Sequence, residues 1–509
     1  MYKDVFKSVY TYLNIFPRVN KKKVRILRAR TKVIYQRMKK LLLLPFFALA
    51  LTCSAQVLTV SEEIPINSDV AYEVLGEMGN HVLLFRDRKT EFEVQAFNSQ
   101  MRQSWSKEIV LDRRLPKVLG IVPTRQDFTL VYSFRQKGNT LIKAHRYDPG
   151  ANLVDSSILV NLGYLFFTPR FELVRSDDRS KLLLYYVENQ DIVHAYSFDL
   201  PTQSLIWEKN FPLQDFLYGR DFVQAVVDNR GGANFIFQKD NFRSRRKQHF
   251  YQILSYDGAG DVHSANIPMQ GFLSYDVFFE ADNLNDQIVA AGLYTEENTE
   301  RARGYFYIRH QPGSAEKATV QFQAFTEEFL QNLLGRDYRE GKGLNETSVR
   351  EIILRRDGGA LLIGERNRQL QRRTGTTSRV YYDATVRNLV DFYFEEVFIL
   401  SIHPSGELHW ETILHKKQYS QDDNGVFSSY FLFETPGRLR FLFNDEIRLE
   451  NTVSEYVING LGEYDRNSLF STTNLDLRLR FRAAVQISPN ELVIPSERRN
   501  RLKLVRLSY

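Results

Sequence analysis

The sequence has almost no cysteine: Cys53 is the single one among 509 residues. One thiol cannot form an intramolecular disulfide, and it cannot supply the several sulfur ligands of a typical structural zinc site. If the chain is cut after Ala55, as argued below, no cysteine remains. The cut protein would then have no disulfide, no catalytic thiol and no cysteine-based zinc site.

Sequence signatures of catalysis and metal binding are also absent. The three histidines closest together, His403, His409 and His415, stand at steps of six residues, which is no metal-ligand spacing. The acidic stretches 281–286 and 420–425 lack the alternation of a calcium-binding loop, so we interpret both as solvated turns. No nucleophile elbow, P-loop or dinucleotide-binding motif follows a predicted strand. We therefore predict no catalytic residue, no metal site and no cofactor.

The net charge of +7 is concentrated at one end of the chain. Residues 1–40 contain 13 Lys and Arg but one acid, Asp4, and residues 41–55 contain no charge. The remaining 55 basic and 60 acidic residues give residues 56–509 a net charge of −5. The high pI therefore comes from the N-terminal arm, and nucleic acid is not an expected partner.

Residues 38–55 have the features of a secretory signal peptide. Met38 is followed by two lysines, an apolar run over 41–51 and the small residues of TCSA. The run is shorter than the roughly 20 apolar residues of a membrane span. We predict cleavage after Ala55, which leaves Gln56 as the first residue. Because this signal has its own Met, we interpret residues 1–37 as a basic upstream extension that is not translated. A long basic leader is the alternative.

Lipoprotein processing is the alternative to cleavage after Ala55. A lipoprotein would be cut before Cys53 and acylated on that residue. Thr52 stands where such sites usually have Gly, Ala or Ser, so we favour the cut after Ala55.

A four-strand repeat runs through residues 56–509. Short runs rich in Val, Ile, Leu, Phe and Tyr recur there, separated by turn-forming residues, and long helical periodicity is nearly absent. The runs group in fours at intervals of mostly about 50–60 residues, a period typical of a β-propeller. The turn between the third and fourth strands is predicted at seven positions: Asn98, Asp148, Asp199, Asp257, Pro312, Pro404 and Gly462.

The two ends of the chain suggest how the ring closes. After seven units, three strands remain at the C-terminal end, and residues 57–66 supply one more before the first unit. Three strands plus one complete an eighth blade and leave no exposed sheet edge. The sequence therefore favours an all-β, single propeller of eight four-stranded blades, closed by the N-terminal strand, with seven blades as the alternative.

The third-to-fourth turns share a motif. They read YDPGANLV, FDLPTQSLIW, YDGAGDVH and HPSGELHW, and Trp105, Trp207 and Trp410 each stand early in a fourth strand. This pattern resembles a degenerate form of the repeat in quinoprotein-like eight-bladed propellers, whose turns carry an Asp, a Gly and a following Trp. The resemblance implies the fold but no cofactor, because such propellers include both redox enzymes and assembly scaffolds. We expect the three Trp residues to pack between neighbouring blades.

Insertions interrupt the repeat in two kinds of connection. They fall between second and third strands or between consecutive blades, and the longest are near 326–345 and 367–390. Residues 326–335 read as a short helix with a Thr cap and a Gly stop. Both kinds of connection emerge on one face of a propeller, where we predict binding. The candidate contacts with an anionic partner lie in loops predicted to be exposed: Arg243, Arg245, Arg246, Arg372 and Arg373.

These patterns predict a non-enzymatic binding or scaffold propeller of the bacterial envelope or the extracellular space. Its partner would be a protein or a polysaccharide. The alternatives are a secreted enzyme, such as a hydrolase or a quinone-dependent dehydrogenase, and a glycan-binding module that uses aromatic stacking. Charged residues in the central channel would favour the enzyme. A channel lined by small or apolar residues, together with decorated loops, would favour the scaffold.

The processing prediction can be checked directly. N-terminal sequencing of the exported protein should begin at Gln56, because the preceding residues are small. Recovery of a diacylated Cys53 peptide would establish a lipoprotein instead. Residues 1–37 in the mature protein would contradict the export prediction altogether.

Overall fold

A computed structural model describes residues 56–112, 116–297, 299–314, 318–373, 388–445, 447 and 452–509. The predicted extension 1–37 and signal peptide 38–55, with Cys53, lie outside these residues, so their processing stays a prediction. Residues Val57–Ser508 form one compact unit. In the described parts of the chain, no helix has the length and apolar character needed to cross a membrane.

The strands form eight antiparallel sheets, which confirms the eight-bladed propeller. First strands of neighbouring blades contact one another, so they line the centre of the ring. Blades 1 to 4, from the inner strand outward, are β3 (Ala71–Met78), β4 (His81–Asp87), β5 (Phe92–Phe97) and β6 (Gln103–Ile109); β7 (Lys117–Pro123), β8 (Phe128–Gln136), β9 (Asn139–Tyr147) and β10 (Leu153–Tyr164); β11 (Glu172–Arg175), β12 (Lys181–Glu188), β13 (Ile192–Asp199) and β14 (Ser204–Pro212); β15 (Phe222–Val227), β16 (Ala233–Lys239), β17 (Phe250–Tyr256) and β18 (His263–Pro268).

Blades 5 to 8 follow the same order, and blades 6 and 8 each have an additional short strand. They are β19 (Leu273–Asp282), β20 (Gln287–Thr295), β21 (Gly304–His310) and β22 (Thr319–Ala324); β23 (Thr347–Leu354), β24 (Ala360–Arg373), β25 (Asn388–Ile402) and β26 (Leu408–Leu414), with β27 (Gln418–Gln421) on β25; β28 (Phe431–Thr435), β29 (Arg438–Asn444), β30 (Thr452–Asn459) and β31 (Tyr464–Ser471); β32 (Val485–Ser488), β33 (Glu491–Arg498), β34 (Arg501–Ser508) and β1 (Val57–Val60), with β2 (Ile64–Pro65) on β34.

In the part of the chain that the structure describes, helices lie in connections between blades. They are the α-helices α1 (Tyr218–Asp221) and α2 (Glu327–Leu334) and the 3₁₀ turns Gly335–Asp337, Thr473–Leu475 and Phe481–Ala483. All seven predicted third-to-fourth turns lie at the ends of the third strands or within three residues of them.

Position within a blade explains the strand sequences. Second strands such as β12 are buried on both faces between neighbouring blades, so they read as continuous apolar runs. Fourth strands such as β6 alternate exposed and less exposed residues, since one face meets solvent. The core is accordingly a series of hydrophobic clusters, each shared by two adjacent blades.

The N-terminal strand closes the ring as predicted. β1 pairs antiparallel with β34 from Val57 opposite Ser508 to Val60 opposite Val505. The amide of Ser61 then donates to the Leu504 carbonyl at 2.9 Å, and β2 pairs Ile64 with Leu502. Blade 8 therefore joins three strands from the C-terminal end with one from the N-terminal end.

A buried ion pair attaches the closing segment to blade 1. The Arg86 Nε and Nη2 atoms donate to the two carboxylate oxygens of Asp69 at 2.7 and 2.9 Å. Both side chains are almost completely buried. Arg86 also donates to the Pro65 carbonyl, so β2 is held from both sides.

Two of the Trp residues join neighbouring blades through hydrogen bonds. The indole nitrogen of Trp207 donates to the Gly231 carbonyl of the next blade at 2.9 Å, and that of Trp410 donates to Gly460 at 3.2 Å. Gly258 of blade 4, the blade that follows Trp207, has a φ of +98°, and a Cβ added there would lie 2.8 Å from the Trp207 ring. The turn glycines and the Trp residues thus form one inter-blade contact.

The packing of the closing segment gives the first stability prediction. Ile64 is 6 % exposed and packs with residues of blades 8 and 1, whereas Val57 in the same segment is 56 % exposed. Ile64→Ala should lower the free energy of unfolding by about 2–4 kcal/mol through lost burial and a cavity. Urea unfolding measures the effect.

Val57→Ala provides the matched control, because it also removes methyl groups from the closing segment. It should change the stability by less than about 0.5 kcal/mol. Equal midpoints for wild type and Ile64→Ala would contradict the role assigned to this segment.

Candidate functional site

The long connections gather on one face of the ring. Consecutive strands run antiparallel, so second-to-third and blade-to-blade connections emerge on the same side. We call this side the insertion face. Its described residues include 241–248, 326–345 and 416–428, together with the described parts of three further connections: 295–297 and 299–304, 367–373 and 388–390, and 445, 447 and 452–454.

The helical insertion is built as its sequence predicts. The Thr326 side chain accepts a hydrogen bond from the Phe329 amide at 3.1 Å, and Gly335 ends α2 at a φ of +52°. Phe329 packs edge-on against Phe398 of β25, with ring centroids 5.7 Å apart. The apolar face of α2 thereby docks on blades 5 and 6.

The second long insertion continues the sheet of blade 6. β24 and β25 stay paired out to Arg373 opposite Asn388, and residues 374–387 between them lie outside the described residues. At its base, the buried Arg366 guanidinium contacts Glu396 at 2.9 Å and Asp337 beside α2 at 3.3 Å. The two insertions therefore stand side by side.

The predicted basic residues occupy two separate places. Arg243, Arg245 and Arg246 are exposed in the second-to-third connection of blade 4, where Arg243 contacts Glu297 of blade 5 at 3.4 Å. The expectation of a loop at Arg372 and Arg373 is wrong, since both are the last residues of strand β24. Pairing of residues 367–373 with the aromatic-rich start of β25 extends the strand.

The insertion face also has an exposed aromatic loop that the sequence patterns did not predict. Phe166 and Phe167, in the connection from blade 2 to blade 3, are 74 % and 80 % exposed. The Arg135 guanidinium holds this loop by donating to the Leu165 carbonyl at 2.9 Å and the Thr168 hydroxyl at 3.1 Å. The sequence signal was LFFTP, a hydrophobic run directly before a proline and outside any predicted strand.

A buried ionic cluster lies beneath the insertion face in blades 6 and 7. The Lys416 ammonium binds the Glu365 carboxylate at 2.7 Å, and Arg350 contacts the same carboxylate at 3.4 Å. The Ser429 hydroxyl donates to Glu365 at 2.7 Å, and its amide donates to the Gln418 side chain at 2.7 Å. Ser429 has a φ of +72°, an unfavourable conformation for serine that this network maintains. Burial lowers the pKa of Lys416, and the charge of Glu365 opposes this shift.

The acidic stretches are turns, but they are not fully solvated. Asp282 is buried and accepts hydrogen bonds from the Leu284 and Asn285 amides. Asp423 accepts from Ser420 and pairs with Arg478 at 3.2 Å. The prediction that these stretches are solvated was wrong for the carboxylates of Asp282 and Asp423. Short acidic side chains often form hydrogen bonds within their own turn, and these bonds replace contacts with water.

Charged residues do line the central channel. On the side opposite the insertion face, the channel opens into a cavity of about 770 Å³ lined by turns and inner strands of blades 1, 2, 3, 7 and 8. Its charged lining includes Asp177 and Glu434 together with Arg125 and Arg179. Burial, together with the charge of Asp177, raises the pKa of Glu434 and raises the pKa of Glu280 to about 7. This gathering of carboxylates is the feature expected of the enzyme alternative.

The histidines are placed apart from this cavity. Among the described residues that line it there is no histidine. His403 and His409 do come together, with ring centroids 4.6 Å apart, while the His415 carbonyl accepts a hydrogen bond from Tyr456. Over the described part of the chain, no three His, Cys, Asp or Glu side chains are arranged to hold a metal ion.

No family model and no curated protein matches the chain. Among solved structures it is similar to the β-propeller domain of the Trilobed protease from Pyrococcus furiosus, at 12 % identity over 78 % of this chain and 98 % of that chain, with a TM-score of 0.34. It is also similar to the WD40 domain of Toxoplasma gondii coronin, at 6 % identity over 89 % of this chain and 86 % of that chain, with a TM-score of 0.33. A third similar structure is Porphyromonas gingivalis dipeptidyl peptidase 4, at 10 % identity over 85 % of this chain and 56 % of that chain, with a TM-score of 0.42. The likeness is one of fold.

The raised pKa of Glu280 gives a prediction for stability against pH. The folded state binds this proton more tightly than the unfolded state, so its contribution is present below about pH 4.5 and is lost as the pH rises through about 7. Glu280→Gln should therefore stabilise the protein at pH 8 by roughly 1–3 kcal/mol, with little effect at pH 4.5. Urea unfolding at the two pH values measures this difference.

Glu108→Gln on the exposed outer strand β6 controls for the loss of one carboxylate. A Glu280→Gln variant that is no more stable than the wild type at pH 8 would contradict the raised pKa of Glu280.

Proposed function

We propose that the protein is an exported, non-enzymatic binding propeller that recognises an anionic protein or polysaccharide through its insertion face. The signal-peptide pattern of residues 38–55 supports export. The observation that carries the proposal is the gathering of six long connections on one side of a closed ring. Loops positioned by a rigid scaffold are where binding surfaces usually develop.

Contacts between connections support a preformed surface. Arg366 joins the helical insertion to the hairpin of blade 6, and Arg478 joins the blade 7–8 connection to Asp423. The Asn241 side chain exchanges two hydrogen bonds with the Ser274 backbone of the next blade. A surface fixed in this way loses little conformational entropy when a partner binds.

The exposed side chains indicate the chemistry of the partner. Among the described residues, neither Arg245 nor Arg246 forms an ion pair. This positive charge stands on a chain whose residues 56–509 carry a net charge of −5. Phe166 and Phe167 add apolar area on the same face. Exposed aromatic and Arg side chains together are typical of interaction surfaces.

A secreted hydrolase is the second candidate, favoured by the carboxylates at the opposite channel mouth. A glycosidase needs two carboxyl groups facing each other across the scissile bond. A proton held at about pH 7 on Glu280 would suit a general acid. The insertion face has no evident part in such chemistry, and we therefore favour the binding function.

Charge reversal tests the proposed surface. Arg245→Glu with Arg246→Glu should weaken association with an anionic partner captured from envelope fractions, on the order of tenfold at low salt. The loss should shrink as salt rises, because screening removes long-range attraction. Surface plasmon resonance at two ionic strengths measures both effects.

Arg356→Glu with Arg438→Glu makes the same change in net charge with exposed residues on the opposite side of the ring. This control should bind as the wild type does. Equal losses for the two double variants would assign the effect to net charge rather than to the insertion face.

A further inference from the structure

A cavity of about 850 Å³ lies on the insertion face where blades 4 and 5 meet. It is lined by α1 and the starts of the inner strands β15 and β19, together with the second-to-third connections of both blades. Eleven of its fifteen described lining residues are polar or charged. Pockets for ordinary small molecules are mostly apolar, so this lining points to a polar ligand.

The charges that line the cavity are balanced. They are three cations and three carboxylates: Arg220, Lys239, Lys247, Asp221, Asp240 and Asp276. Asp221 contacts Arg220 at 2.6 Å and Lys239 at 3.8 Å. Lys247 contacts Asp240 at 3.5 Å. The lining residues therefore have no excess charge of either sign, and their polar groups suit a ligand that both donates and accepts hydrogen bonds.

The Asp276 carboxylate is held in place by two backbone amides. One of its oxygens accepts from the Val277 amide at 2.9 Å, and the other accepts from the Val349 amide of blade 6 at 2.7 Å. Each carboxylate oxygen can accept two hydrogen bonds, so both retain capacity for a hydroxyl group. The Asn241 side chain is fixed by its two hydrogen bonds to the Ser274 backbone, both at 2.9 Å. These acceptors and donors are thus oriented before a ligand binds.

An exposed aromatic ring stands at the rim of the cavity. Phe242 is 52 % exposed, although large apolar side chains are usually covered. Its amide donates to the Asp240 carbonyl at 2.8 Å, and the preceding residue, Asn241, is bonded to blade 5. The ring is therefore positioned by an anchored backbone. A flat apolar surface beside fixed polar groups suits a ligand with an apolar face and a polar edge.

We propose that this cavity binds a pyranose unit of a polysaccharide. The C–H face of a sugar ring packs on Phe242, and its hydroxyl groups form hydrogen bonds with Asp276 and the neighbouring polar side chains. Arg243, Arg245 and Arg246 continue the connection that carries Phe242, so acidic groups on adjoining sugar units meet them at the rim. The inference rests on the proposed function, since it selects the polysaccharide among the anionic partners.

A protein segment is the less suitable occupant of the cavity. Protein partners gain much of their affinity by burying apolar and aromatic side chains in apolar pockets. Only four of the fifteen described lining residues are apolar, and they include two valines. Hydroxyl groups at several positions of one ring match a lining of carboxylate, amide and ammonium groups more closely.

A printed array of defined neutral and acidic oligosaccharides tests the full chain, with polyglutamate as the peptide probe. The wild type should bind a subset of the oligosaccharides, and titration calorimetry with the one bound most strongly gives its affinity. Phe242→Ala should weaken that binding about tenfold or more, as truncation of a central aromatic contact does. Phe242→Tyr keeps the ring and should bind within about threefold of the wild type.

Phe166→Ala is the matched control, because it truncates an equally exposed phenylalanine in another loop of the same face. It should leave the affinity within about twofold of the wild type. The urea midpoint of Phe242→Ala should stay close to that of the wild type, since the ring is largely uncovered. A reduced affinity in this variant then reports the lost contact rather than unfolding.

Three results would overturn the proposal. The first is that Phe242→Ala binds the oligosaccharide as the wild type does, and the second is an equal loss in Phe166→Ala. The third is that the wild type binds polyglutamate or an anionic protein but no oligosaccharide on the array. If that binding is lost in the Arg245→Glu, Arg246→Glu variant, the proposed function stands while the sugar site fails.

Discussion

The pairing of β1 with β34 is the constraint on which the rest of the fold depends. Each blade buries its faces against two neighbours, so an open ring would leave one apolar face and one strand edge uncovered at each end. The pairing joins residues separated by the whole length of the propeller, and Arg86 and Asp69 extend it into blade 1. Because the blades are held in a closed circle, the connections on one side keep fixed mutual positions.

The insertion face includes interactions that a simple propeller does not need. Burying Glu365 with Lys416, and Arg366 with its acids, costs desolvation free energy that the pairing only partly recovers. Ser429 adds an unfavourable backbone conformation to complete the hydrogen bonds around Glu365. These features lie beneath the insertions of blades 6 and 7, and the buried Arg86–Asp69 pair lies at the ring closure. The interface between blades 3 and 4, by contrast, relies on an apolar cluster and the Trp207 contact. Costly interactions of this kind are common where structure serves binding.

Local signals made the architecture predictable, and long-range pairing made the site hard to predict. Strands, and turns at residues such as Asp148 and Pro404, depend on a few consecutive residues. The repeat period and the number of blades could therefore be predicted from the sequence. The capping pattern of Thr326 and Gly335 is equally local. By contrast, the pairing that extends β24 to Arg373 depends on a partner strand beyond residue 387. The cluster around Glu365 unites residues 350, 416 and 429, and no sequence spacing relates them.

The electrostatic character of the channel mouth opposite the insertions separates the two candidate functions. At the mouth opposite the insertions, carboxylates crowd one another, so a proton or another cation relieves repulsion between Asp177 and Glu280. A cationic ligand there would favour ionised Glu280 and release its proton, whereas binding at the exposed loops of the insertion face does not involve this carboxyl group. Release of a proton when a ligand binds would therefore favour the hydrolase candidate over the binding function.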